Sequence, residues 1–190
     1  MEIGEFINII SCIPDITQIK QKDIPENELI QLFEAYKQAP SAANSQPGEF
    51  YLVYNKNIRK KMLEAILDPF MRNESDLKPE WVLKTPVVMV VCMNIRRARA
   101  RLGEKGDDIA KMDIWGGIQN LRISANILGI GTSICRELDA VRLSEVLNLP
   151  KFIKPIGIIG LGYLDDKSIK RENERPLLEN SMFIHTIKES

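Results

Sequence analysis

A chain of 190 residues, of which 44% are hydrophobic and 27% are charged, is long enough to bury a sizeable core as one globular domain. The 26 Lys and Arg residues equal the 26 Asp and Glu residues in number, so net charge favours neither a nucleic acid nor a membrane surface as a partner. No apolar run approaches the roughly 20 residues of a membrane span. The N-terminus lacks a basic-then-apolar signal pattern, so a cytoplasmic location is expected.

Reactive side chains are scarce in this sequence. The three cysteines, Cys12, Cys92 and Cys135, are far apart and odd in number, which argues against a disulfide framework and a zinc site. The single histidine, His185, argues against multi-histidine metal sites and against catalytic triads. A catalyst with so few reactive groups would take its chemistry from a cofactor.

The first half of the chain alternates between helical and strand patterns. Helical spacing over 25–40 is followed by a β-rich run over 50–54 and by a second helical pattern over 58–67. Prolines and charges over 68–85 predict a surface excursion or lid. The continuous apolar run over 86–93 then predicts a strand that is covered on both faces.

The second half continues this alternation around a long helix. The basic run over 96–101 is either a solvated helix face or a patch for an anionic ligand. After the long helix, a short strand is predicted over 132–135, a helix over 141–147 and a buried strand over 155–163. Strands separated by helices favour a helix-covered sheet of mixed class.

The long helix, predicted over 108–128, has apolar residues on two sides. One side carries Ile114, Ile118, Leu121, Ala125 and Leu128, and the other carries Met112, Trp115, Ile123 and Ile127. A helix that is apolar on two sides is buried twice, so one side could face the core and the other a second subunit. The alternative is burial within a monomer.

The segment over 39–47 combines two prolines with Ser, Asn and Gln between a helix and a strand. Proline fixes the backbone, and the polar side chains supply short hydrogen-bonding groups. Such a segment suits the polar edge of a flat heterocycle, and it suits equally a helix stop followed by a turn.

Several motifs together resemble the nitroreductase family of flavoenzymes. The sequence APSAANSQP at 39–47 resembles that family's APSxxNxQPW segment, and LGIGT at 128–132 resembles its LGLGT turn. Residues 99–121, 147–163 and 175–177 are similar to its middle section, its closing helix and strand, and its C-terminal tail. The resemblance runs from about residue 25 to 180 with the elements in order.

The resemblance implies an α+β fold with a central mixed or antiparallel sheet flanked by helices, in an obligate homodimer. It implies a single domain over 1–190, with an extended tail over 165–190 that packs on the partner subunit. It also implies FMN at the dimer interface and ping-pong chemistry, in which NAD(P)H reduces the flavin and an electrophile such as a nitroaromatic or quinone takes its place. The site residues that follow from it are Pro40, Ser41, Ala42, Asn44 and Gln46 along or near the ring, with Ile134 and Cys135 approaching from the other subunit.

The chain departs from the family pattern where the FMN phosphate is usually held. The two arginine positions of the family's N-terminal segment are Pro14 and Thr17 here. A phosphate needs charge-assisted partners, so the candidates are Lys61 with Arg171 and Arg175, joined by Lys20 or Lys22. The alternatives are weak FMN binding, or a non-catalytic dimeric binding protein that kept the fold and lost tight FMN binding.

A second departure is Gly48, at a position where the family often has an aromatic residue. The missing aromatic side chain predicts either a roomier acceptor pocket or a local demand for glycine.

Overall fold

The computed structural model describes residues 2–11, 13, 19–66 and 80–165. The helices are α1 (Ile3–Ser11), α2 (Glu26–Lys37), α3 (Lys56–Leu63), α4 (Trp81–Lys84), α5 (Ile95–Arg99), α6 (Gly106–Ile127) and α7 (Ala140–Leu147). The strands are β1 (Gly48–Leu52), β2 (Val87–Asn94), β3 (Ile130–Cys135) and β4 (Ile153–Tyr163). Short 3-10 turns lie at Ala42–Asn44 and Gly103–Lys105.

The strands form one four-stranded sheet in the order β1-β2-β4-β3, and every pair in it is antiparallel. The sheet confirms the α+β fold, with the antiparallel form of the two predicted arrangements. Strand β2 is central, and each of its residues is buried. The apolar run over 86–93 therefore predicted correctly a strand that is covered on both faces.

Helices cover both faces of the sheet. Alternate residues of β2 point to opposite sides, so Met89 and Val91 join one core while Val90 and Cys92 join the other. The first core packs under α2 and α6 and the second under α3, α4 and α7. Burial raises the pKa of the Cys92 thiol to about 12, so this cysteine is a protonated core residue.

Short polar side chains fix the beginnings of two helices on the second face. The side chain of Asn55 accepts the backbone N–H groups of Asn57 and Ile58 at the start of α3. Asp139 does the same for Val141 and Arg142 at the start of α7. Both residues are N-caps, which satisfy backbone donors that have no partner within the helix.

The structure confirms one of the two apolar sides that were predicted for α6. Ile114, Ile118 and Leu121 are fully buried against the sheet and α2. The other side is divided: Met112 and Ile127 are 66% and 63% exposed. Trp115 packs within its own chain.

The position of Trp115 corrects the expectation that it shares one outward side with Met112. A Cβ atom at Gly157 of β4 would lie 2.7 Å from the Trp115 ring, so the ring lies directly on the sheet. The Arg136 guanidinium covers the ring at 4.6 Å from its centroid. Helical spacing alone does not distinguish a side chain that packs on the sheet from one that points away from it.

Helix α1 carries apolar residues that the described part of the chain leaves uncovered. Ile3 is 74% exposed, Ile7 is half exposed, and no residue of α1 is buried. The helix lies against α6, because the Asn126 side-chain amide donates to the Ile9 carbonyl at 2.9 Å. The exposed residues of α1 and α6 therefore belong to neighbouring helices.

One buried arginine joins α3 to the sheet. Arg59 is 3% exposed and donates from Nε to the Val53 carbonyl at 2.6 Å. Its two other nitrogens donate to the carbonyls of Thr85 at 2.5 Å and Pro86 at 3.0 Å. One guanidinium thus satisfies three carbonyls at the points where β1 ends and β2 begins.

Within the described ranges, no helix combines the length and the hydropathy needed to cross a membrane.

Candidate functional site

The predicted loop over 39–47 links the end of α2 to the start of β1 in an uncommon backbone conformation. Ala43, Asn44 and Gln46 have φ values of 53°, 51° and 44°, in the left-handed region that side chains other than glycine seldom adopt. The Ser41 carbonyl accepts the Asn44 N–H at 2.9 Å, and the Ser41 hydroxyl accepts the Gln46 N–H at 3.0 Å. Ser41 therefore holds the turn from inside.

The two amide side chains of the loop contact each other. Gln46 Nε2 donates to Asn44 Oδ1 at 2.9 Å, and this bond leaves the NH₂ of Asn44 and the carbonyl oxygen of Gln46 available to a ligand. Both residues are exposed. The loop therefore presents a fixed donor and a fixed acceptor side by side, as the edge of a heterocycle requires.

Asp113 connects this loop to the long helix. Its Oδ2 accepts the backbone N–H of Ala42 at 2.8 Å, across 71 residues of sequence. A bond from an N–H to a carboxylate is stronger than one between neutral groups. This hydrogen bond fixes the loop to α6. The residue before Asp113 on that helix is the exposed Met112.

A cavity of about 260 Å³ opens between the loop, α2 and β1. It is lined by the aromatic rings of Phe33, Tyr36 and Phe50, by the loop residues Ala39, Pro40, Ser41, Gln46 and Pro47, by Gly48, and by the charged residues Lys37, Arg97 and Asp113. Prolines and aromatic rings thus form apolar walls, and a small number of polar groups stand among them. Such a composition is typical of sites for small molecules.

Tyr36 is the reason why residue 48 is glycine. A Cβ atom at Gly48 would lie 1.9 Å from the Tyr36 hydroxyl oxygen, and one at Gly117 would lie 2.6 Å from the Tyr36 ring. The ring also meets Phe50 edge to face, with centroids 4.7 Å apart. The geometry therefore supports a local demand for glycine at residue 48 rather than a roomier pocket, and a side chain imposes that demand.

Charged groups near the cavity are mostly paired. Arg97 donates to Glu49 at 2.8 Å and to the Gly48 carbonyl at 3.1 Å, and Lys37 pairs with Glu34. Burial raises the pKa of Tyr36 to about 12, Arg97 opposes that shift, and Asp113 adds to it. Tyr36 is therefore a neutral hydroxyl at physiological pH.

The basic run over 96–101 is largely neutralised by its own surroundings. The Arg96 guanidinium stacks on the Phe152 ring at 4.0 Å, and Arg99 makes a two-pronged pair with Asp107 at 2.8 and 2.7 Å. With Arg97 paired to Glu49, the structure favours a solvated helix face over a patch for an anionic ligand.

The remaining predicted site residues are not brought to the loop within one chain. Ile134 and Cys135 end β3, which is the opposite edge of the sheet from β1, with β2 and β4 between them. Lys61 is exposed on α3, where it lines a surface groove with Asp139 and Arg142. Arg171 and Arg175 lie outside the described residues.

Local sequence patterns do not single out three side chains that shape the cavity. Tyr36 is one apolar position of a helical pattern, Asp113 lies within the section over 99–121 that resembles the family, and Arg97 is part of a charged run. Their convergence depends on the crossing of α2 and α6 over the sheet, which no local pattern contains. In the described part of the chain, no cluster of His, Cys, Asp and Glu has the geometry of a metal site.

Comparisons with known proteins agree with this geometry. The profile of the Nitroreductase family matches residues 19–163. The FMN reductase [NAD(P)H] of Bacillus subtilis is 26% identical over 188 residues, covering 89% of this chain and 70% of the relative. The crystal structure of a nitroreductase family protein from Streptococcus pneumoniae superposes with a TM-score of 0.75 at 20% identity, covering 96% of this chain and all of the other. A second such structure, from Clostridium novyi, has a TM-score of 0.73 at 23% identity and covers 92% and 91% of the two chains.

The fold and the family match define a flavin-dependent oxidoreductase with FMN as its cofactor. The chain belongs to the nitroreductase family, whose profile covers most of its described residues. The paired amides of the loop and the apolar walls beside them suit the flat, polar-edged ring of FMN. Of the candidate phosphate partners, Lys22 has its ammonium 4.3 Å above the Tyr163 ring.

Proposed function

We propose that this protein is an NAD(P)H oxidoreductase that reduces small electrophiles such as nitroaromatics or quinones by a ping-pong mechanism. The observation that carries the proposal is the loop over 39–47, which combines an amide pair with a left-handed backbone and is joined to α6 where Asp113 accepts the Ala42 N–H. Strain of this kind is typical of binding sites, where the surrounding structure maintains it. The name of the Bacillus subtilis relative supports NAD(P)H as the reductant.

The protein's contribution to this chemistry is to bind and orient the flavin. Bound FMN would supply the transfer of two electrons from NAD(P)H to the acceptor. Asn44 and Gln46 would bind the polar edge of the ring, and Pro40, Ser41 and Ala42 would line it. Because Asp113 fixes Ala42, the loop is pre-organised and loses little conformational freedom on binding.

The active form that we infer is a homodimer. Met112 and Ile127 of α6 and Ile3 and Ile7 of α1 are exposed apolar residues on two neighbouring helices, and we call them together the α1/α6 surface. Exposed apolar patches of this kind mark interaction sites. A Cβ at Gly116 would have no heavy atom within 4 Å, so a second backbone could approach α6 closely there. In such a dimer, Ile134 and Cys135 would approach the partner's flavin.

Four further assignments stay proposals. They are a single domain over 1–190, a tail over 165–190 that packs on the partner subunit, phosphate contacts from Lys61, Arg171 and Arg175, and a cytoplasmic location.

The proposed function predicts a yellow protein. The purified chain is expected to show flavin absorption in the visible range and to release FMN on denaturation, and to oxidise NADH or NADPH when a quinone is added. A colourless protein that takes up no FMN added at tens of micromolar would contradict the proposal. It would favour the non-catalytic dimeric binding protein instead.

Two variants of Asp113 make this test specific for the loop. Asp113→Ala removes the acceptor of the Ala42 N–H and is expected to weaken FMN binding about tenfold, since a hydrogen bond to a charged group contributes about 1.5–3 kcal/mol. Asp113→Asn keeps an acceptor oxygen at the same place and is the matched control. Fluorescence titration of the apoprotein with FMN measures the affinities of both variants. Equal affinities would show that the hydrogen bond between Ala42 and Asp113 does not contribute to FMN binding.

The α1/α6 surface predicts a second result. Met112→Glu combined with Ile127→Glu is expected to convert a dimer into a monomer at micromolar concentration, because two charges would be buried without partners. Sedimentation equilibrium measures the change. Val141→Glu is the control, since Val141 is 70% exposed on α7, which covers the other face of the sheet. A double variant that stays dimeric would place the interface elsewhere.

A further inference from the structure

The ring of Tyr36 packs between α6 and β1. A Cβ atom at Gly117 of α6 would lie 2.6 Å from the ring, and one at Gly48 of β1 would lie 1.9 Å from the hydroxyl oxygen. The ring also meets Phe50 edge to face, with centroids 4.7 Å apart. Glycine at both positions leaves room for the ring, so one side chain of α2 contacts a second helix and the edge strand together.

Tyr36 contacts both ends of the loop over 39–47. Its carbonyl accepts the N–H of Ala39, the first residue of the loop, at 3.2 Å. Its hydroxyl lies over Gly48, which directly follows the last residue of the loop, Pro47. The two ends are therefore held to one residue of α2.

The same ring packs on the part of α6 to which the middle of the loop is bound. Gly117 lies one helical turn after Asp113, and the Asp113 carboxylate accepts the Ala42 N–H. The contact of Tyr36 with Gly117 thus fixes the distance between α2 and the turn that carries Asp113. A change in that distance would move the ends of the loop relative to its middle.

The backbone of the loop depends on such support. Ala43, Asn44 and Gln46 all have positive φ values, and none of them is glycine. Side chains make this region of the backbone unfavourable, and strained residues persist only where the surrounding structure maintains them. Ends that are held in place limit the other conformations to which the loop could relax.

We propose that Tyr36 is a positioning residue for the flavin, whose ring holds the loop over 39–47 in the conformation that presents Asn44 and Gln46. This inference rests on the proposed function, because the flavin is the cofactor of that reaction. Tyr36 acts through the loop, so its loss lowers the fraction of the protein whose loop is ready to bind. The apparent affinity for FMN falls by the same factor.

Hydrogen exchange of the apoprotein, followed by mass spectrometry, tests the inference without flavin. Tyr36→Ala is expected to exchange the amides of residues 41–47 at least about tenfold faster than wild type, because the loop opens more readily. Tyr36→Phe keeps the ring and is expected to match wild type. Leu143→Ala is the control, since Leu143 is fully buried on α7 in the core on the other face of the sheet. It destabilises the fold and is expected to leave the loop unchanged.

Fluorescence titration with FMN gives the second readout. Tyr36→Ala is expected to weaken FMN binding at least about tenfold, and Tyr36→Phe and Leu143→Ala are expected to stay within about threefold of wild type. The double variant Tyr36→Ala/Gly48→Trp returns an aromatic ring to the same space from β1. It is expected to restore both the affinity and the slow exchange. If Tyr36→Ala is insoluble, Tyr36→Leu serves to remove the ring.

The two readouts distinguish the possible failures. If wild type binds FMN and Tyr36→Ala binds it equally well, the inference is wrong and the proposed function stands. If Leu143→Ala loosens the loop as much as Tyr36→Ala does, the effect follows global stability, and the inference is wrong as well. If wild type takes up no FMN but Tyr36→Ala alone loosens the loop, the proposed function is wrong and the support of the loop by Tyr36 stands.

Discussion

Replacement of Arg59 by methionine is expected to destabilise the protein by about 3 kcal/mol or more. The guanidinium is the common donor to the carbonyls of Val53, Thr85 and Pro86. Methionine matches its length but leaves these carbonyls without that donor, and a buried unsatisfied carbonyl costs about 1–3 kcal/mol. Removal of the buried charge recovers part of this loss, because burial alone disfavours the cation and lowers the pKa of Arg59.

Urea unfolding followed by circular dichroism, at one fixed protein concentration, measures this effect. Arg142→Met is the matched control. Arg142 lies on the neighbouring α7 and pairs with Glu64, but both side chains are more than half exposed. An exposed ion pair contributes about 0–1 kcal/mol, so the control is expected to unfold close to wild type. Equal midpoints for the Arg59 and Arg142 variants would show that the three carbonyls find other partners.

Introduction of tryptophan at Gly48 is expected to destabilise the fold by about 3 kcal/mol or more, because overpacking of a filled site usually costs about 1–3 kcal/mol and the clash here begins at Cβ. Tyr36 cannot move away at low cost, since Gly117 and Phe50 hold its ring. Removal of the tyrosine ring in the same chain creates the space that the indole needs. The double variant Tyr36→Ala/Gly48→Trp is therefore expected to recover most of the lost stability.

A double-mutant cycle measures this compensation as a coupling free energy. Residues in contact typically give about 0.5–3 kcal/mol, and a value at the upper end is expected here. Gly4→Ala is the control for a glycine substitution without a clash, since a Cβ at Gly4 would meet no heavy atom within 4 Å. It is expected to add stability of up to about 1 kcal/mol through helix propensity. Additive effects at residues 36 and 48 would mean that the two side chains do not compete for one space.

Local patterns predict the elements of this fold well because their physical causes are local. The apolar period of the long helix predicts 108–128, and α6 spans Gly106–Ile127. The continuous apolar run predicts 86–93, and β2 spans Val87–Asn94. The N-terminal helix α1 is not predicted, although Ile3, Phe6, Ile7 and Ile10 recur in its sequence at helical spacing.

The candidate site is predictable only where its residues are contiguous in sequence. Composition identifies the loop over 39–47, whereas the cavity beside it depends on contacts between residues far apart, such as Ala42 with Asp113. The helical wheel places Trp115 on the wrong side of α6. The wheel gives the direction of a side chain around the helix axis, but it does not show that the sheet has a glycine on which the indole ring can pack. That glycine is Gly157, which lies 42 positions after Trp115 in the sequence. The structural partners of Arg59 are equally out of reach, because nothing in the sequence distinguishes a buried arginine from an exposed one.

The burial of β2 on both faces has a consequence for how the chain is made. Its sequence, VVMVVCMN, has no charge, proline or glycine, and such segments associate readily with one another when they are exposed. Strand β1 is synthesised first, but the other neighbour, β4, begins only at Ile153. At roughly 5–20 residues per second, one side of β2 waits several seconds for its partner on the ribosome. The yield of soluble protein in a cell is therefore expected to depend on the rate of translation between these strands, as well as on the stability of the finished fold.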